Sequence, residues 1–164
     1  MSGGTIAETG NGRTIFTIGS AGYTAAAIVA AAEFRGELEP VRQELRRLLL
    51  CEHRAEEDGL EAEDEAVDAA VQEFRYERDL ITAEETEQWL AERDLTLADF
   101  GDYFSRHYWK GTSEGTSAGM EDLAEEEESA LHAELVFSGE LGRMAERLAQ
   151  RLAVSSEKKS EIEA

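Results

Sequence analysis

Residues 40–59 read PVRQELRRLLLCEHRAEEDG. Pro40 suits the first turn of a helix, where its missing N–H forfeits no intrahelical bond. Val41, Leu45, Leu48, Leu49 and Glu52 then recur at helical spacing, and all but the last are apolar. Arg42, Arg46 and Arg47 fall mainly on the other side, and Gly59 stops the run after Asp58. This is the signature of a long amphipathic helix with one face in a core. The same pattern extends in both directions from it.

Upstream, Thr24 is placed to cap a helix through about Phe34, and Gly36 ends it. Before that, Thr14-Ile15-Phe16-Thr17-Ile18-Gly19 is β-prone and runs into a Gly-Ser-Ala-Gly turn. One short strand is expected there, packed as an extended arm or paired with a segment the sequence does not identify. Residues 1–12, rich in Gly, Thr and Asn, read as a flexible tail.

Downstream, Leu60 to Glu65 opens a helix with acids near its positive dipole end. Val67, Ala70, Val71 and Phe74 supply its apolar stripe. Thr82 and Glu85 form a capping-box pattern ahead of Trp89 and Leu90. Thr96 opens a further helix that carries Phe100, Tyr103, Phe104, Tyr108 and Trp109. Residues 111–120 read as a Gly/Ser/Thr linker. Residues 121–154 form a C-terminal helical segment, with Leu131, Leu135 and Val136 on one face and Met144, Leu148 and Leu152 on a last amphipathic helix. Either that segment folds back onto the main body at 13–110, or it exchanges onto a second chain. Residues 155–164 read as a flexible tail. The expected fold is an all-α bundle of about six short helices with one short N-terminal strand.

Acidic residues outnumber basic ones 37 to 16, a formal charge of −21. Nucleic acids and anionic membrane surfaces recruit clustered Lys and Arg, so neither is an expected partner. The charge suits basic partners, or the general acidity of a salt-adapted proteome. The lone Cys51 permits no internal disulfide. The N-terminus does not read as a signal peptide. The longest apolar run, Tyr23 to Ala32, is ten residues, where a membrane span takes about 20. A cytoplasmic protein with no membrane association is expected.

The reactive groups do not assemble into a recognisable pattern. Cys51 and His53 are two apart and diverge on a helix, so Cys51 reads as a small core residue. His53 with Glu57 and Glu128 with His132 are i, i+4 pairs, but a carboxylate-bridged metal site needs several such pairs to converge. The glycines at 10, 12, 19 and 22 lack the lysine and strand-to-helix context of phosphate loops. No catalytic residue, cofactor or metal is expected, and the chain does not read as an enzyme. The aromatic residues are more informative. Phe100, Tyr103, Phe104, Tyr108 and Trp109 admit two readings: core packing is the default, but they occupy more than one helix face, and with Trp89 they are the best candidates for an exposed peptide-binding groove.

The order of these elements resembles a known family. Leu45-Arg46-Arg47-Leu48-Leu49-Leu50 is followed by Gly59-Leu60-Glu61-Ala62-Glu63-Asp64-Glu65, then Val67 through Phe74-Arg75, then Leu80-Ile81-Thr82 through Trp89-Leu90, and then Leu95-Thr96-Leu97-Ala98-Asp99-Phe100. Together with Phe16-Thr17-Ile18-Gly19 and Thr24, this resembles the SurA-like helical N-terminal chaperone domain of parvulin-type peptidyl-prolyl isomerases, over roughly residues 14–109. The resemblance implies binding of extended, unfolded polypeptide. Nothing after Lys110 reads as the separate isomerase domain, so isomerase activity is not implied. Shortened relatives also look like accessory proteins in peptide maturation, which makes a precursor polypeptide or a peptide-modifying enzyme the implied partner. The competing reading is a structural or assembly protein that forms a homodimer through its C-terminal helices. A metal-dependent enzyme ranks last.

Overall fold

The structure, a computed structural model, describes residues 13–112 and 120–163. The expected N-terminal tail at 1–12 and most of the expected linker lie outside them. Among the described residues, seven helices follow a two-stranded antiparallel hairpin: β1 (Thr14–Ile18), β2 (Ala21–Thr24), α1 (Ala25–Phe34), α2 (Glu39–Glu57), α3 (Asp64–Glu77), α4 (Ala83–Glu92), α5 (Leu97–Tyr108), α6 (Met120–Phe137) and α7 (Glu140–Glu163). The all-α expectation holds.

The lone expected strand has a partner, and it is the next segment. β1 pairs with β2 through Ile18↔Ala21, Thr17↔Gly22 and Phe16↔Tyr23. Gly19 turns the chain at φ +61°, a left-handed conformation that a side chain disfavours. Phe16 stacks on Tyr23 with ring centroids 4.9 Å apart, and both pack on the helical core. An isolated hairpin of this size is marginal in water; this one is held by α1 and α7.

The helix starts are where local chemistry places them. Ala27 N–H donates to Thr24 Oγ1 at 3.2 Å, opening α1. Pro40 sits in the first turn of α2. Thr82 and Glu85 close the capping box of α4 in both directions, at 3.1 and 3.0 Å. Thr96 and Asp99 do the same for α5. Beyond the last expected helical residue at 154, α7 continues to Glu163.

Two apolar clusters fill the interior. The first gathers Ile28 of α1, Leu45 and Leu49 of α2, Leu131 and Leu135 of α6, and Met144 and Leu148 of α7. The second gathers Phe74 of α3, Leu90 of α4, Phe100 and Tyr103 of α5, and Ala133 and Phe137 of α6. α6 therefore belongs to both, and Val136 packs against each. A helix buried on opposite sides shows no single apolar stripe. Within this single chain, α6 and α7 pack onto the main body and contribute to its apolar clusters.

Ion pairs tie the helices across these clusters. Glu127 of α6 is buried and accepts hydrogen bonds from Arg42 and Arg46 of α2. Burial alone would push its carboxyl up, but the two guanidiniums outweigh burial and hold it below the usual carboxylate range. Arg147 and Arg151 of α7 both donate to Glu37, at 3.1 and 3.0 Å. Among the described residues, no helix is long and apolar enough to cross a membrane.

Candidate functional site

A cleft of about 740 Å³ opens between α2, α5 and α6. Each helix gives it one face, at the spacing that helix geometry requires. α2 presents Leu49, Glu52, His53 and Glu56; α5 presents Asp99, Asp102 and Arg106; α6 presents Glu125, Glu126, Ser129, Ala130 and Ala133. The small side chains at 129, 130 and 133 are what leave room between the helices. A second hollow of about 450 Å³ shares Glu52 and Glu56 with the first and continues past Ala55 to Leu60, Val67 and Trp109. The two share residues of α2 and form one trough along it; in the second hollow Leu60, Val67 and Trp109 stand beside Glu61, Asp64 and Asp68.

Six carboxylates line the main cleft against one guanidinium and one imidazole. His53 Nε2 lies 2.7 Å from Glu126 Oε2. Asp99 is partly committed to the α5 cap, accepting from Thr96 N and Oγ1 at 2.9 and 3.0 Å. Arg106 is 4% exposed. Its terminal nitrogen reaches Glu134 at 3.4 Å, and its Nε has no hydrogen-bond partner among the described residues. Low-dielectric walls that carry one sign of charge focus the field within the cleft. The arrangement attracts ammonium and guanidinium groups.

Glu52 senses that field most directly. Burial pushes its carboxyl above the ordinary range, and Glu56, Asp102 and Glu126 push the same way, while Arg106 opposes them. A carboxyl raised in the folded state binds its proton more tightly there than in the unfolded chain. Its ionisation therefore costs stability as pH rises from the unfolded value of 4.5 through the higher folded value. Glu52→Gln removes that cost. The variant is expected to melt on the order of 2 °C higher than the parent at pH 7. The two should converge at pH 4, and a lower melting temperature for the variant at pH 7 would contradict this assignment.

The aromatic groove expected from the sequence is distributed differently. Phe100 and Tyr103 are core residues, 4% and 9% exposed, and so offer no peptide-binding surface. Trp89 and Phe104 sit half-buried beside them, packed on Phe74 at 5.5 and 5.6 Å between centroids. Phe137 and Phe74, on two other helices, supply the partners that draw these rings inward. Tyr108 and Trp109 pair edge-to-face away from that cluster, at 4.8 Å. Of the six residues, Trp109 lines the trough and Trp89 lines a separate cavity.

The single residues weighed for chemistry also have structural partners. Cys51 is buried, and its Sγ lies 3.4 Å from the carbonyl oxygen of Thr112. His132 Nε2 donates to the carbonyl of Arg93 at 2.7 Å. The trough itself was missed, although its parts carried a signal: Glu52 is the one acid in the apolar stripe of α2, with Glu56 one turn on. Compared with known proteins, the chain matches no family model, no curated protein and no solved structure.

Proposed function

We propose that this protein is a non-catalytic polypeptide-binding module, chaperone-like or adaptor-like, that holds a basic segment of another chain in the acidic trough along α2. The client would be an unfolded or precursor polypeptide. The observation that carries the reading is the convergence of six carboxylates from three helices on one cleft that continues into a hollow where Leu60, Val67 and Trp109 stand among further acids. An extended segment with Lys or Arg beside apolar side chains matches both parts. Backbone amides of such a segment find acceptors at the rim, and its apolar side chains find the far hollow.

The test is fluorescence anisotropy with labelled unstructured peptides of matched length, one rich in Arg and Leu and one rich in Glu and Leu. The basic peptide should bind, and binding should weaken as salt rises above about 0.1 M, where the screening length falls to about 10 Å. Glu56→Lys with Glu125→Lys, both at exposed positions, should weaken binding roughly tenfold or more, about 1.4 kcal/mol. Glu73→Lys with Glu87→Lys changes net charge equally on exposed faces of α3 and α4 and should change affinity much less. Equal loss in both pairs would reduce the effect to overall charge, and equal binding of the two peptides would end the proposal.

A further inference from the structure

A second cavity has the opposite character. It measures about 300 Å³ and lies where β1, α4, α6 and α7 meet. Ile15, Ala25, Val136 and Leu141 give it apolar walls, and the ring of Trp89 forms one side. Two glycines, Gly139 and Gly142, withhold side chains from it; a Cβ built on Gly142 would meet no atom within 4 Å. Its volume is at the lower end of the range for small-molecule sites.

Its charged groups are mainly basic, in a chain of net charge −21. Arg13, Arg93 and His132 line it against the single carboxylate of Glu92. Each base is fixed by the backbone. Arg13 donates to the carbonyl of Glu92 at 3.0 Å, Arg93 donates to that of Trp89 at 3.0 Å, and His132 donates to that of Arg93 at 2.7 Å. The Arg93 guanidinium also lies 4.0 Å from the centre of the Trp89 ring. A guanidinium carries five N–H donors, so these contacts leave donors on both arginines. The two cations are close enough to oppose each other: burial first, and then Arg13, pull the Arg93 guanidinium down, and Glu92 only partly offsets this. An anion placed between them would relieve that repulsion.

We infer that this cavity binds a small amphipathic carboxylate, its aryl or short alkyl body against Trp89 and Val136 and its carboxylate at Arg13 and Arg93. The site is independent of the acidic trough. It would make the protein responsive to a small organic acid at the junction of its two apolar clusters.

The probe is 3-phenylpropionate, followed by calorimetry and by the indole N–H resonance of Trp89, which is assigned with Trp109→Phe. Binding should saturate and shift the Trp89 signal. The neutral amide of the same body should bind at least tenfold more weakly, and the corresponding amine should not bind. Gly142→Leu fills the cavity from a helical position that gains helix propensity, so it should abolish binding in a folded protein. Arg13→Gln should weaken binding roughly tenfold, about 1.4 kcal/mol. The Glu56→Lys, Glu125→Lys pair should leave it unchanged, which separates this site from the trough. Equal affinity for acid and amide would overturn the charge assignment, and full binding by Gly142→Leu would overturn the location. Much tighter capture of a peptide ending in Phe would overturn the small-ligand assignment. No saturable binding of any of the probes would sink the inference as a whole.

Discussion

Phe137→Ala is expected to cost about 3–5 kcal/mol of unfolding free energy, the range for truncating a buried aromatic residue. Phe137 is the last residue of α6 and is 4% exposed. Its ring lies 5.6 Å from Phe74, 6.0 Å from Trp89, 5.4 Å from Phe100 and 5.0 Å from Tyr103, centroid to centroid. Those four residues come from α3, α4 and α5, so one side chain ties three helices to α6. Removing it leaves a void that the surrounding rings, held edge-to-face on one another, fill only in part. Domains of this size are stable by about 5–15 kcal/mol in total, so the loss is a large fraction. Because α6 joins both apolar clusters, the effect should spread beyond the second one. Urea unfolding followed by far-UV dichroism gives the magnitude, and near-UV dichroism reports the Trp89 environment. Phe104→Leu, at a half-buried ring on the cluster edge, should cost much less. A cost below about 1 kcal/mol for Phe137→Ala would mean that the cluster is not the joint that holds α6.

Much of this fold was legible because its helices are bounded by local chemistry. Thr24, Thr82 and Thr96 each cap a helix within three residues of themselves, and Gly36 and Gly59 end helices at φ +77° and +71°. Interactions of that range are written in adjacent letters. The second strand was not legible, since Ala21-Gly22-Tyr23 has little strand preference of its own. It forms because Phe16 and Tyr23 share a stacking contact and because Gly22 passes close to Thr14, where a Cβ would lie 3.2 Å from Thr14 Cγ2. The candidate site was less legible still. An aromatic stripe looks the same in sequence whether it meets solvent or other rings, and the rings it meets here are far along the chain, at Phe137 and at Phe74 on α3. The trough has the converse history. Each of its acids reads alone as part of a solvated face, and only the packing of α5 and α6 against α2 brings them together.

Charge is partitioned in this chain with some economy of cations. Thirteen arginines serve an acidic surface, and those at 42, 46, 147 and 151 are committed to pairs that link helices to each other or to the α1–α2 connection. Two of the acids in these pairs, Glu127 and Glu37, are largely withdrawn from solvent, at 9% and 20% side-chain exposure. Other acids gather at the trough, where Arg106 and His53 are the basic groups of the main cleft. If the trough receives a client as proposed, this local gathering of acids would favour a basic one.

Arg106 makes the remaining prediction possible, because two carboxyl groups act on it with opposite consequences. Glu134 is 4% exposed and is its hydrogen-bond partner at 3.4 Å, while also meeting His107 Nε2 at 2.8 Å. Glu52 acts on it through space from the cleft side. Where Glu52→Gln stabilises, Glu134→Leu should destabilise by about 3–5 kcal/mol, because it leaves a buried guanidinium without its partner. The Nε of Arg106 already lacks a hydrogen bond, so the side chain has little in reserve. The loss is a penalty for the abandoned charge more than the worth of the pair. It follows that removing both groups should restore much of the stability: Arg106→Leu with Glu134→Leu should lie within about 1–2 kcal/mol of the parent, far from the sum of the single effects. Chemical denaturation of the two single variants and the double variant measures the coupling. Additive losses would show that Glu134 holds α6 through its own packing and His107, and that Arg106 is stabilised from the cleft side instead. In that case the trough's acids, and Glu52 first among them, would be structural partners of Arg106 and not free to receive a client.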